Sequence, residues 1–253
     1  MVLRTVSEVS LAGDVPRITH PEWSERFPWL CQGMTVRGAR GDFDMGLFGP
    51  GPSGEVQLRW DALGGATGFA SVVHGHQIHG TRIGVHHGST AGRLVVPDCD
   101  GHLTATPGTL LTVATADCVP VFMVSPEMRA IALLHAGWRG VAAGVLERGV
   151  ALLASVFRAD PTDLHAHLGP AICGDCYEVG PEVHEALDLP GPEGPEPVDL
   201  RAVLGRRALA LGVSADRVTV SAHCTLCGDG SLFSHRGGDP GRQVAMLGLV
   251  GPT

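Results

Sequence analysis

Thr109–Ala116 reads TLLTVATA, Val119–Val124 reads VPVFMV after the pair Asp117-Cys118, and Ala130–Leu134 reads AIALL and ends on His135. Each run is too short for a typical helix, rich in β-branched residues and bounded by polar ones. That combination predicts strands buried on both faces, with reactive side chains where the apolar runs stop. Beyond His135 the period changes: Ala142, Leu146, Gly149, Leu153 and Val156 recur at helical spacing, while Arg148, Ser155 and Arg158 take the other side. A helix from about 138–140 to 157 is expected. Upstream, GFASVVHGHQI at 68–78 mixes strand formers with a polar, His-rich tail. Further strand patterns lie at 163–168, 217–221 and in the C-terminal VAMLGLV, and a helical one at 198–211. The first third, including RGARGDFDMGLFGPGPSG at 37–54, reads as irregular loops or hairpins, and the Arg-Gly-Asp at 40–42 as chance. LPGPEGPEPV at 189–198 is taken as a surface loop within one domain, since only 55 residues follow it.

The chain of 253 residues is long enough to bury a substantial core. Its 36 Gly and 18 Pro are about a fifth of the chain, against about 12% in average proteins, so short elements joined by many turns are expected. A formal net charge of −8 argues against nucleic acid as a partner. The sequence contains no Lys, all 18 basic side chains being Arg. Phosphate loops of the Walker type, Schiff-base enzymes and pyridoxal enzymes are thereby excluded. It contains no Asn either, hence no glycosylation acceptor. The start, MVLRTVSEVSLAG, lacks the apolar core of a secretory signal, and no apolar run reaches membrane-spanning length. A cytoplasmic protein with no membrane partner is expected, and in that compartment the seven cysteines are free thiols or metal ligands rather than disulfides.

His79, Cys118 and His135 are the candidate metal ligands, placed at strand ends where a rigid sheet rim preorganises them. Two imidazoles and a thiolate leave one position open on tetrahedral zinc, the arrangement of catalytic sites. Their separation matches no short metal motif; structural histidines and a core cysteine are the competing reading. Gly137, Arg139 and the expected helix start follow His135 directly, an arrangement suited to an anion. Asp117 is either a general acid/base or a hydrogen-bonding orienter of a ligand. The pairs His74-Gly75-His76 and His165-Ala166-His167 imitate copper motifs, but the other ligands of a multicopper site are missing; hydrogen bonding on a polar surface is expected of them. The C-x-x-C pairs Cys173/Cys176 and Cys224/Cys227 contain enough ligands for a closed Cys₄ site, although Gly174-Asp175 reads as a loop; free thiols are the favoured expectation. GxSxG and HExxH are absent.

In order, QIHGTRI, CDGHLT, TADCVPV, LLHAGWRGVAAGVLE, GPAICGDCYEVGPEV and CTLCGDGSLFSHRGGDPGR resemble the laccase-domain family from about Arg37 through Leu249. Its bacterial members are called polyphenol oxidoreductases, or purine nucleoside phosphorylases with adenosine deaminase activity. The resemblance implies an α+β fold, a single-domain α/β/β/α sandwich with mixed sheets spanning 1–253 and related in architecture to cysteine-dependent toxin deamidases. It also implies zinc on His79, Cys118 and His135. Arg37 and Arg59 resemble the family's N-terminal basic positions, although Ala39 and Leu58 depart from its pattern. The family's Ser-x-Arg-Arg becomes Ser234-His235-Arg236-Gly237, with one arginine lost; Arg236 and Arg242 remain candidates. The resemblance implies phosphorolysis of adenosine, inosine or methylthioadenosine, with phosphate held by Arg37, Arg139 and the helix start before Val141. It also implies deamination at the purine C6, for which Asp117 is the proton-moving candidate, with Cys118 and His135 as its catalytic neighbours. Nucleoside and phosphate are the expected partners of a monomer, and copper an adventitious replacement for zinc. Rival activities are a copper-dependent polyphenol oxidase and a Cys118–His135 amide hydrolase acting on peptidoglycan precursors, which has no need of His79.

Overall fold

A computed structural model describes residues 3–48 and 53–251. In chain order, strands β1 (Arg4–Val6), β2 (Val9–Leu11) and β3 (Arg17–Thr19) precede helix α1 (Pro21–Arg26) and β4 (Leu30–Thr35). Helix α2 (Ser53–Thr67) leads to β5 (Ser71–Gly75), β6 (Ile83–His86), β7 (Gly92–Val96) and β8 (Gly101–Thr104). The three quoted runs become β9 (Thr109–Thr115), β10 (Val119–Ser125) and β11 (Ala130–Ala136). After them come α3 (Trp138–Ala142), α4 (Val145–Phe157), β12 (His165–Leu168), β13 (Glu178–Val179) and α5 (Pro181–Ala186). The chain closes with β14 (Glu196–Pro197), α6 (Leu200–Ala210), β15 (Val218–Ser221) and β16 (Gln243–Leu249).

Two mixed seven-stranded sheets result, in the orders β1-β15-β12-β10-β11-β8-β6 and β2-β3-β4-β16-β9-β5-β7. Alternate side chains explain the layering. In β10 and β11, Phe122, Val124, Ile131 and Leu133 pack against Val73, Leu111, Val113 and Leu247 of the other sheet. Their neighbours Val121, Met123, Ala132 and Leu134 pack on Leu146, Val150 and Leu153 of α4 and on α6. Both faces are covered, so these strands read as unbroken apolar runs rather than alternating ones. On the outer face of the second sheet, Val56, Trp60 and Leu63 of α2 cover Leu110, Val244 and Met246. The order of layers is helix, sheet, sheet, helices: the expected α+β sandwich. No helix among the described residues is long and apolar enough to cross a membrane.

Three readings change. The helix expected over 138–157 is broken: Gly144 takes φ +83 and caps α4, so only one short turn, α3, follows His135. The first third is not irregular throughout, because α2 occupies much of it; Val56, Trp60 and Leu63 carry a helical apolar stripe hidden among flanking glycines. Residues 49–52 of its Gly-rich stretch lie outside the described residues. Finally, three of the four H-x-H histidines leave the polar surface expected of them: His74, His165 and His167 are buried, while His76 is exposed beside Asp98. His74 Nδ1 shares a 3.0 Å hydrogen bond with Thr112 Oγ1. His167 shares 2.9 Å bonds with Glu8 Oε1 and Thr219 Oγ1.

Burial makes several of these imidazoles hard to protonate. It lowers His20 to about 4, His74 to about 3 and His165 to about 4, from an ordinary 6.5. As pH falls through 6.5 the unfolded chain takes up protons that the folded chain does not, so folding stability declines from that point toward pH 4. Each histidine should cost about 2 kcal/mol between pH 7 and pH 5. Denaturant titrations at the two pH values test this; equal unfolding free energies would contradict it.

Candidate metal centre

One buried carboxylate organises the centre. Asp100, just before β8, is fully buried. Its Oδ1 accepts from His79 N at 2.8 Å and pairs with His135 Nδ1 at 2.9 Å. Its Oδ2 accepts from Ile78 N at 3.2 Å and Gly80 N at 2.8 Å. Its backbone oxygen accepts from His135 N at 2.7 Å. Burial alone would raise its pKa, but the His135 contact and these amide donors hold the carboxyl below its ordinary range, so it stays ionised. The residue 77–80 loop is thereby wrapped around a single anion, and His79 adopts a left-handed backbone at φ +61 to meet it. Such a conformation costs about 1–3 kcal/mol at a non-glycine residue and persists only where surrounding bonds hold it.

Three elements deliver the ligands: the loop after β5 brings His79, the crossing from β9 to β10 brings Cys118, and β11 brings His135. His79 therefore stands in a loop, four residues past its strand, rather than at a strand end. The crossing is the point where the chain leaves one sheet for the other, and Asp117 makes the turn at φ +88. One ligand atom from each of the three residues lies within 4.8 Å of the others. The rings of His79 and His135 meet nearly edge to face, with centroids 4.8 Å apart. With His135 Nδ1 engaged by Asp100, Nε2 is left for a metal, the carboxylate–histidine–metal arrangement. Gly137 completes the cradle. A Cβ there would sit 2.7 Å from His79 Cδ2 and 3.0 Å from Cys118 Sγ, so a side chain would push the ligands out of place. Donor set and cradle both fit a metal ion. His79 is exposed and His135 buried, which puts the open side of the centre at His79.

Burial works against a thiolate at Cys118, but the adjacent His135 and hydrogen bonds from His135 and His79 more than reverse this, bringing the thiol down to about 6. Burial likewise opposes the imidazolium of His135, yet Cys118 and Asp100 raise it to about 9. Each group favours the charged form of the other. The sulfur is thus prepared for a nucleophilic or a ligand role.

The other candidates fall into two groups. Asp117 is buried, and both of its carboxylate oxygens are engaged: Oδ1 accepts from Thr225 Oγ1 at 2.5 Å and Oδ2 from Arg236 N at 2.7 Å. Arg236 also donates to Glu178 O at 2.9 Å and lies 5.2 Å from the Tyr177 ring centroid; Arg139 lies 4.4 Å from that of Trp138. Burial first, then the charge of Cys118, pushes the Tyr177 hydroxyl up to about 12, while Arg236 and Arg139 pull it down. Arg236 is thus tied to Asp117, the residue before Cys118, and stacked on Tyr177, while Arg139 follows by two residues the Gly137 that contacts Cys118. Arg37 and Arg59 are held by other partners. Arg37 donates to Leu232 O and pairs with Asp239; Arg59 donates to Asp44 O at 3.0 Å and Glu55 at 3.1 Å. Asp44 also accepts from Arg242 N at 2.8 Å, which places the fifth arginine candidate here as well. Arg37 lines a depression with Gly38, Arg40 and Asp42, none of them a ligand of the trio.

Asp100 was missed by the sequence reading. Its signal lay inside CDGHLT: a metal-bound histidine almost always donates its second nitrogen, and an acid before a buried strand is a natural acceptor. Asp100→Asn should weaken zinc binding about 10–100-fold, read by competition with a chromophoric chelator. Gly137→Ala should weaken it too, by displacing His79 and Cys118, with the fold retained by circular dichroism. Unchanged zinc affinity in both variants would mean that these groups do not shape the centre.

Comparisons with known proteins place the chain. Residues 37–250 match the family described as multi-copper polyphenol oxidoreductase laccase. The purine nucleoside phosphorylase YlmD of Geobacillus stearothermophilus is 38% identical over 167 residues, 60% of this chain and 61% of that protein. The purine nucleoside phosphorylase of Deinococcus radiodurans is 34% identical over 209 residues, 79% of this chain and 78% of its own. The crystal structure of the Geobacillus YlmD superimposes with a TM-score of 0.87 at 29% identity, covering 96% of this chain and all of that one. A Bacillus licheniformis protein, YfiH, shares the fold with a TM-score of 0.85 at 24% identity, over 95% of this chain and 98% of its own. On the family match and these relatives together, the chain belongs to the multi-copper polyphenol oxidoreductase laccase family.

Proposed function

We propose that this protein is a zinc-dependent purine nucleoside phosphorylase that also deaminates adenosine, with adenosine, inosine and methylthioadenosine as its nucleosides. The observation that carries the reading is the convergence of His79, Cys118 and His135 on the Gly137 cradle, with Arg139 and Arg236 held on aromatic rings in the same neighbourhood. The names of relatives in Geobacillus and Deinococcus support the substrate class.

In phosphorolysis a phosphate oxygen forms a bond to the ribose C1′ as the bond to the purine nitrogen breaks, and the base leaves carrying the bonding pair. The protein must hold a multiply charged anion against an oxocarbenium-like centre. Arg139 and Arg236 suit that role, because stacking fixes the plane of each guanidinium while leaving donors free for phosphate. The short α3 adds less than the expected long helix would have, since a single turn develops little dipole. Arg37 is tied to the residue 231–242 segment that carries Arg236, and Asp44, to whose backbone oxygen Arg59 donates, is tied to Arg242 in the same segment. In deamination a water oxygen adds at the purine C6 and ammonia leaves. Asp117, with both oxygens engaged, positions Arg236 and Thr225 in this scheme rather than carrying protons. Asp100 holds His135 in one tautomer for both reactions. Zinc on the three ligands would supply a Lewis acid with an open coordination position.

Among the described residues, only two groups of three or more potential ligands converge: this trio and four cysteines elsewhere. A multicopper oxidase needs further histidine ligands, and the H-x-H histidines at 74, 165 and 167 are spent on hydrogen bonds or packing in the interior. The Cys118–His135 pair favours amide hydrolysis as the second reading, but that chemistry has no use for His79 or for the Gly137 cradle.

Protein of known metal content, incubated with adenosine with and without phosphate, should yield adenine and ribose 1-phosphate only when phosphate is present. Inosine should appear in both conditions. Cys118→Ala should form neither product above background. Full zinc occupancy with no turnover of any of the three nucleosides would overturn the assignment in favour of amide hydrolysis.

A further inference from the structure

The two C-x-x-C pairs lie 51 residues apart in sequence, yet the fold brings them together. Cys173 caps and Cys176 ends a single 3-10 turn, Gly174–Cys176; Cys224 and Cys227 bracket the turn that follows β15. The two segments are joined by a parallel bridge between Ala171 and Cys224 and by Thr225 N donating to Ala171 O at 3.1 Å. All four sulfurs fall within 4.8 Å of one another, and Cys173 Sγ lies 3.7 Å from Cys227 Sγ. None is in a disulfide. The free-thiol expectation leaves this convergence unexplained.

We propose that Cys173, Cys176, Cys224 and Cys227 form a tetrathiolate zinc site, structural in role and separate from the catalytic centre. Zinc–sulfur bonds of about 2.3 Å in a tetrahedron put the sulfurs about 3.8 Å apart, close to the separation found. A second, independent feature is the set of amide donors on one sulfur: Cys173 N, Leu226 N and Cys227 N point to Cys224 Sγ at 3.2, 3.4 and 3.5 Å. Amides directed at sulfur favour the anionic thiolate that a metal requires. Four ligands of this type close the coordination shell, which suits a clasp rather than a catalyst.

What the clasp holds follows from its neighbours. Cys176 immediately precedes Tyr177, on which Arg236 is stacked. Thr225, between the second pair, donates to Asp117, the residue before the ligand Cys118. Closing the sulfur cluster therefore fixes two walls of the catalytic centre against each other without touching substrate. The inference rests on these contacts alone and stands or falls independently of the nucleoside reading.

Metal analysis of the intact protein, purified under reducing conditions, tests it. About two zinc ions per chain are expected in the wild type and about one in each of two variants, Cys227→Ser and Cys118→Ala. Cobalt(II) replacing zinc should give the intense thiolate charge-transfer bands of a four-sulfur site in wild type and in Cys118→Ala, but not in Cys227→Ser. Should Cys227→Ser fail to fold, demetallated wild type titrated with cobalt(II) in the absence of oxygen gives the same spectral readout. A wild type holding one zinc, with all four of these thiols reacting freely or recovered as two disulfides, would overturn the proposal.

Discussion

The Asp100 carboxylate, fully buried yet ionised, accepts three backbone amides and one imidazole, and the metal centre depends on that set of bonds. A buried carboxylate without partners would cost several kcal/mol. Here that cost is offset by making the anion the hub of the 77–80 loop. Because the loop closes on it, His79 accepts a left-handed backbone; because His135 donates to it, the second imidazole nitrogen is presented toward Cys118. Two of the three ligands are thus set by one side chain that touches no metal. The third, Cys118, is set by topology, at the crossing between the two sheets.

That division explains what could be read from sequence. The apolar runs at 109–116, 119–124 and 130–134 announced buried strands, and doubly covered strands are what β9, β10 and β11 are. Two of the three candidate ligands, Cys118 and His135, stand where those runs stop, whereas His79 lies in a loop that no run announces. Contacts that join distant segments were not legible. Nothing in spacing shows that Asp117 receives Thr225 and the amide of Arg236, more than a hundred residues away. Nor does it show that Arg37 is tied to Asp239 while Arg236 turns to Tyr177. Helix α2 escaped for a local reason: its flanking glycines dominate the composition, and its apolar stripe is only three residues long. The break at Gly144 escaped because a glycine within an apolar period is as consistent with helix packing as with a left-handed cap.

The arginines show how one residue type serves two purposes. Around Asp44 and Asp239, Arg37, Arg59 and Arg242 are cross-links: their donors or backbone amides fix the N-terminal loop to the 231–242 segment. Around Tyr177 and Trp138, Arg236 and Arg139 are stacked and exposed, with donors to spare. In a protein without lysine every cation is planar, so stacking and bidentate bonding are available at each site. Gly237 supplies no guanidinium beside Arg236, so under the proposed reading phosphate would rest on Arg139 and Arg236.

The family's name and the centre's donor set point to different metals, and the proposed zinc reading rests on the donors. Copper binds nitrogen and sulfur more tightly than zinc, so a His₂Cys site can take it up whenever it is offered. Binding is not function, however. Blue-copper electron transfer calls for a weak axial ligand, often Met, beside His₂Cys, and oxygen reduction at several coppers calls for additional histidines. Here the space beside Cys118 and His79 is bounded by Gly137, whose lack of a side chain keeps it open. Of the paired histidines, His74 and His167 lie in the interior on Thr112, Glu8 and Thr219. The proposed anion recognition rests on the open side at His79 together with the exposed guanidinium groups of Arg139 and Arg236. The same four-layer scaffold can therefore carry an oxidase's name while its described residues lack the further converging histidines that a multicopper centre requires.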